Sequence, residues 1–74
     1  MAKVKGDITI GQRMAEEVRR VCTDRKIKLD LFAPRNLRKD WQTGVIPGGL
    51  YLARLHYFGG DVIYVLTGRK GVDV

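Results

Sequence analysis

Cysteine and histidine are almost absent from this sequence of 74 residues, which contains one of each, Cys22 and His56. A single cysteine cannot form an internal disulfide, and one cysteine with one histidine cannot supply the ligands of a structural zinc site. The remaining residues assemble no nucleophile with its base and no pair of catalytic carboxylates. We therefore expect no enzymatic activity, no metal and no cofactor. Cys22 continues an apolar stripe, and we interpret it as a core residue.

Long apolar runs are missing as well. No stretch approaches the roughly 18 consecutive apolar residues of a membrane-spanning helix, and the residues after Met1 lack the apolar region of a signal peptide. No internal repeat, low-complexity tract or linker divides the chain. We expect a single domain over residues 1–74, ordered over about residues 8–69, in a reducing cytoplasm, with no membrane partner and no small-molecule substrate.

Positive charge, in contrast, is abundant. Lysine and arginine total 14 against 8 aspartate and glutamate residues, which gives a formal net charge of +6 at pH 7. A surface of this charge attracts polyanions. Nucleic acid is therefore the first class of partner to consider, and an anionic membrane surface is the second.

The first predicted helix begins after Thr9. Thr9 and Gln12 have the spacing of a capping box, in which each side chain hydrogen-bonds the backbone N–H of the other residue. Apolar residues then recur at intervals of three and four, which predicts a helix to about Cys22. This helix contains three arginines, Arg13, Arg19 and Arg20. We interpret them as exposed partners of Glu16 and Glu17 and not as nucleic-acid contacts.

Two later segments fit more than one structure. Residues 27–31 alternate in polarity like a strand but also fit helical spacing. Because Thr23 or Asp24 can cap a helix, we interpret the segment as a short second helix that begins before residue 27 and has Arg25 and Lys26 in its first turn. Residues 50–58 predict a largely buried fourth helix. Residues 62–67 have the composition of a strand, although Asp61 can cap a helix there and Gly68 can end it. Composition leaves this last segment open.

Residues 34–43 are the most informative segment. Pro34 suits the first turn of a helix, and Gly44 suits the left-handed position that ends one. At about 100° per residue, Leu37 and Trp41 fall on one side, which favours a core anchor over a base-stacking role for the tryptophan. Polar and cationic residues form an arc nearly opposite: Arg35, Arg38, Lys39 and Gln42, with Asn36 at its edge. The pattern predicts a helix anchored on one face and open on the other.

Residues 51–55, YLARL, and residues 60–69, GDVIYVLTGR, resemble the last two helices of the lambda-type repressor and Cro helix-turn-helix family, the xenobiotic response element-like regulators of phages and prophages. Residues 41–44, WQTG, are similar to the end of that family's recognition helix, and residues 10–14, IGQRM, to the opening of its first helix. The likeness covers about residues 9–69. Residues 23–25, TDR, and 32–34, FAP, depart from the family's serine-glutamine helix start and from the glycine of its tight turn.

The resemblance implies an all-α fold, a small five-helix lambda-repressor-like bundle that contains a helix-turn-helix, with residues 62–67 helical. It also implies a Cro-like or repressor-like transcriptional regulator that binds double-stranded DNA with residues 34–43 in the major groove. One short helix reads few base pairs, so a homodimer on two half-sites is expected. The interface candidates are Phe58, Tyr64, Val65 and residues 69–74.

The expected contacts follow from side-chain chemistry. Arginine pairs with guanine, and glutamine or asparagine with adenine, through two hydrogen bonds each, whereas lysine suits a phosphate. The expected base-contacting residues are Arg35, Arg38 and Gln42. Asn36 is expected to reach a base or a phosphate, and Lys39 a phosphate. Arg25 and Lys26 are expected to bind phosphate at the start of the second helix.

The unusual residues 32–34 also support a second hypothesis. On it, the chain is a protein-interaction module, such as an antirepressor or a phage-encoded inhibitor, that keeps the helical scaffold but uses the altered turn and the third helix to bind another protein. DNA binding would be recognised by a steep fall of affinity with salt, which a protein-binding module would not show.

Overall fold

The computed structural model describes residues 9–69. These residues form five helices and no strand: α1 Ile10–Arg25, α2 Leu29–Phe32, α3 Arg35–Gln42, α4 Gly49–Tyr57 and α5 Val62–Thr67. The expected all-α class is confirmed, including the helical state of residues 62–67, where the Asp61 side chain accepts a hydrogen bond from the Tyr64 N–H. None of the helices in this range has the length and apolar content needed to cross a membrane. Residues 70–74, named as part of a dimer interface, lie outside the described residues.

Helix α1 begins where the capping box predicts but ends one turn later than expected. Thr9 Oγ1 accepts from the Gln12 N–H and Gln12 Oε1 accepts from the Thr9 N–H, both at 3.1 Å. At the other end, Lys26 has a left-handed backbone with φ 58°, and the Ile27 N–H returns to the Cys22 carbonyl at 2.8 Å. The expected end at Cys22 is wrong because polar residues continue the helix until this backbone motif closes it.

Helix α2 is a single turn. Ala33 and Pro34, both in extended backbone, join it to α3, so that Pro34 precedes the helix instead of lying in its first turn. This two-residue connection is shorter than the three- or four-residue turn, often with glycine, of a typical helix-turn-helix. Residues 33 and 34 of the unusual sequence FAP therefore form the whole connection between α2 and α3.

Side chains from all five helices meet in one core. The largest fully buried ones are Met14 and Val18 of α1, Phe32 of α2, Trp41 of α3, Leu55 of α4 and Val65 of α5. Cys22 is also buried, as expected, and burial raises the pKa of its thiol. Since every helix contributes to the same core, the position of α3 is fixed by packing.

Helix α4 is less buried than expected. Leu50 and Tyr57 are 64% and 80% exposed, and Leu55 alone among residues 49–57 is fully buried. The interface candidates are conversely less exposed than expected. Val65 is fully buried, and Phe58 packs its ring against Phe32 with centroids 6.1 Å apart. Among residues 9–69, the large exposed apolar side chains therefore do not include Phe58, Tyr64 or Val65.

Glu17 is a buried carboxylate that links α1 to the turn before α5. It is 5% exposed, accepts hydrogen bonds from Arg20 Nε at 3.1 Å and Nη2 at 2.5 Å, and accepts the Asp61 N–H at 2.7 Å. Burial alone would raise the pKa of Glu17. The hydrogen bonds from Arg20 and Asp61, with the charge of Arg20, outweigh burial and lower that pKa.

We expect this site to make the fold sensitive to acid. Because the folded-state pKa of Glu17 is lowered, the ionised carboxylate stabilises the protein above its unfolded-state pKa of about 4.3, and that contribution is lost as pH falls through the folded value. Glu17→Gln should cost about 1–3 kcal/mol at neutral pH and should flatten the acid dependence of Tm. Thermal melts between neutral and acidic pH measure both effects. The matched variant Glu16→Gln, on an exposed carboxylate of the same helix, should keep the acid dependence, and identical pH profiles for wild type and Glu17→Gln would contradict the assignment.

Candidate nucleic-acid interface

Four of the five α3 residues predicted to contact DNA are exposed in the structure: Arg35, Asn36, Lys39 and Gln42. They line an open concavity of about 710 Å³ together with Arg38 and with Arg19 of α1. Trp41, on the other side of α3, is 0% exposed, and Leu37 packs against the same core. The predicted division of α3 into an anchored face and an open face is therefore present.

Helix α3 is held against α1 at two places. Gln12 Nε2 donates at 3.1 Å to the Gln42 carbonyl, which lies at the end of α3 and has no partner within that helix. Gly11 lies so close to α3 that an added Cβ would stand 2.5 Å from the Trp41 carbonyl oxygen and closer still to that of Val45. These contacts set the position of the open face relative to α1.

Arg38 has a different role from the one predicted. Its Nε donates to the Ala33 carbonyl at 3.1 Å, its Nη2 pairs with the carboxylate of Asp30, and its side chain is 17% exposed. A base contact would have to break these bonds. The helical wheel gave the direction of the side chain correctly but could not show that Asp30 of α2 lies within reach. Arg38 ties α2 to α3 and thereby positions the open face of α3.

Arg25 and Lys26 lie at the C-terminal end of α1 and not in the first turn of α2. The expected position at the start of α2 is therefore wrong, and the dipole at a helix C-terminus, which attracts cations and repels anions, does not favour a phosphate there. The Arg25 guanidinium lies instead beside Gly59, in the turn between α4 and α5. Neither residue lines the concavity on α3.

The surroundings of two arginines of α1 differ from those expected from the sequence. Arg20 does pair with Glu17, as expected. Arg13, in contrast, donates from Nε to the Val65 carbonyl at 2.9 Å near the end of α5. Arg19 is exposed and lines the concavity on α3. Its position seven residues after Gln12 places it on the same side of α1, and that spacing was the available indication.

Comparison with protein-family models, with curated proteins and with solved structures finds no match for this chain. Within residues 9–69, no group of three or more histidine, cysteine, aspartate or glutamate side chains is placed to hold a metal ion. The functional assignment consequently depends on the geometry and charge of α3 and its surroundings.

Proposed function

We propose that this protein binds double-stranded DNA in a sequence-specific manner, as a Cro-like or repressor-like transcriptional regulator, with α3 in the major groove. One observation carries the proposal: a helix fixed in the core through Trp41 presents Arg35, Asn36, Lys39 and Gln42 to solvent on its opposite side. A formal net charge of +6 favours the approach of a polyanion. A regulator of this kind would act in the cytoplasm of a bacterium or of a phage-infected host.

The dimensions and chemistry of α3 suit the major groove. An α-helix with its side chains is about 10–12 Å across, which fits the groove width of about 12 Å, and the 8 residues of α3 extend about 12 Å along the helix axis. Arg35 is assigned to a guanine and Gln42 to an adenine, each through two hydrogen bonds. Asn36 is assigned to a base or a phosphate, and Lys39 to a phosphate. Arg38, which was expected to contact a base, is instead assigned to holding α3 in position against α2.

We further propose that the protein acts as a homodimer. A single α3 can contact only a few base pairs, and two copies on half-sites one helical turn apart roughly double the contacts. Such a dimer has twofold symmetry, so its preferred DNA sequence is an inverted repeat. Exposed apolar residues that could contribute to a symmetric contact are present on α5, where Ile63 and Leu66 are 54% and 43% exposed.

Selection of binding sequences from a random duplex pool tests the proposal. We expect enrichment of an inverted repeat by the wild type. Arg35→Ala should lose about 1–3 kcal/mol of discrimination at one base pair of each half-site. Arg25→Ala removes the same charge outside the concavity and should select the wild-type sequence. If the wild type enriches no sequence, the protein does not recognise DNA in this way.

A second candidate function is supported by the exposed face of α4. Leu50, Ala53 and Tyr57, with Arg54 and Phe58, line an apolar concavity of about 430 Å³. An apolar concavity of this kind is typical of a protein-binding surface. If the chain is a protein-interaction module, Tyr57→Ala should abolish partner capture, Arg35→Ala should leave it unchanged, and no duplex should be enriched.

A further inference from the structure

We infer that Arg19 of α1 binds a phosphate of the DNA backbone at the margin of the α3 interface. The inference rests on the proposed function and adds a contact from a second helix to the same site. It assigns a binding role to a residue that sequence reasoning had placed among the ordinary exposed charges of α1.

The first support is the charge of the concavity that Arg19 lines. Among residues 9–69, its lining contains four cationic side chains and no carboxylate: Arg19, Arg35, Arg38 and Lys39, with Asn36 and Gln42. Arg38 is paired with Asp30, whereas Arg19, Arg35 and Lys39 form no ion pair with any of residues 9–69. An uncompensated group of this kind attracts an anion, and a guanidinium can hold a phosphate through two parallel hydrogen bonds.

The second support is that the two concavities bordered by Arg19 differ in charge. Arg19 and Gln42 also border a neighbouring concavity, which is completed by Gln12, Ala15 and Glu16. The Glu16 carboxylate there accepts the Tyr64 hydroxyl at 2.6 Å. A DNA phosphate in that concavity would face a carboxylate, whereas a phosphate on the α3 side would face cationic and amide side chains. The DNA backbone should therefore pass on the α3 side of Arg19 and leave the protein there.

The third support is the fixed geometry between the two helices. The close approach at Gly11 and the bond from Gln12 Nε2 to the Gln42 carbonyl hold α1 against the end of α3. Arg19 lies two turns further along α1, so its Cα has a defined place relative to α3. A duplex positioned by α3 thus meets Arg19 at a constant place, and only the arginine side chain has to become ordered.

The test compares Arg19→Ala with Arg25→Ala, which removes the same charge from the same helix outside the concavity. Affinity for the duplex selected by the wild type is measured over a series of NaCl concentrations. We expect Arg19→Ala to weaken binding about tenfold, as for loss of one charge-assisted hydrogen-bonded contact, and to reduce the slope of log K against log salt by about 0.9. Arg25→Ala should retain the wild-type slope, and thermal melts should show both variants folded.

A complementary variant tests whether the carboxylate in the second concavity repels DNA. Glu16→Gln keeps an acceptor for the Tyr64 hydroxyl but removes the carboxylate, and we expect it to bind the duplex more tightly than the wild type. A titration with inorganic phosphate alone separates a DNA contact from a small-anion site, and we expect no saturable binding to the wild type. Saturable phosphate binding, with duplex affinity unchanged by Arg19→Ala, would overturn the inference.

The failure of this inference can be told apart from failure of the proposed function. If Arg35→Ala loses discrimination as expected while Arg19→Ala and Arg25→Ala behave alike, the phosphate contact of Arg19 is refuted and DNA binding by α3 stands. If the wild type binds no duplex, both proposals are refuted together.

Discussion

Replacing Trp41 with alanine is expected to destabilise the protein by about 3–5 kcal/mol and to abolish duplex binding. Trp41 is 0% exposed, and its ring packs edge-on against Tyr51 with centroids 5.6 Å apart. A domain of this size has a free energy of unfolding of roughly 4–11 kcal/mol, so the loss would remove a large share of the stability. Without Trp41, α3 also loses the side chain that holds its cationic face outward.

Urea unfolding followed by circular dichroism measures this loss without relying on the fluorescence of the replaced tryptophan. Leu50→Ala removes an apolar side chain that is 64% exposed, and it should change the free energy of unfolding by no more than about 0.5 kcal/mol. A Trp41→Ala variant within about 1 kcal/mol of the wild type would show that α3 is not anchored as described.

Replacing Gly11 with alanine is expected to destabilise the protein by about 3 kcal/mol, at the upper end of the usual range for overpacking. In an unobstructed helix the same change stabilises by about 1 kcal/mol. At Gly11, however, the new Cβ would stand 2.5 Å from the Trp41 carbonyl oxygen, which is backbone and cannot rotate away. The helices α1 and α3 would have to separate, and duplex affinity should fall with them.

Gly49→Ala is the matched control for this prediction. Gly49 is the first residue of α4, and an added Cβ there would meet no atom within 4 Å. We expect this variant to gain about 0.5–1 kcal/mol. Opposite signs for the two glycine replacements, measured by the same urea unfolding, would support the close approach of α1 and α3, and stabilisation by Gly11→Ala would refute it.

Features set by neighbouring residues were predictable from the sequence. Thr9 and Gln12 are three residues apart and cap α1 as expected. Gly44 follows α3 with φ 108°, which is the left-handed conformation that its type predicts. Leu37 and Trp41 are four residues apart and face the core together. In each case the interacting groups lie within about one turn, so spacing alone determines the outcome.

Features set by residues distant in the chain were not predictable in the same way. The pairing of Arg38 with Asp30 depends on the connection between α2 and α3, which no helical wheel describes. The strand-like composition of residues 62–67 is overridden because Val65 enters the core and Asp61 caps the helix. The apolar residues of α4 suggested burial, but the packing of residues 9–69 leaves Leu50 and Tyr57 exposed.

The most direct measurement of the central claim is an NMR titration of the isotope-labelled protein with its selected duplex. We expect the chemical-shift changes of side chains and amides to concentrate on the open face of α3, at Arg35, Asn36, Lys39 and Gln42, while the exposed residues of α4 change little. Changes confined to α4, or spread evenly over the surface without a maximum on α3, would contradict DNA recognition by this helix.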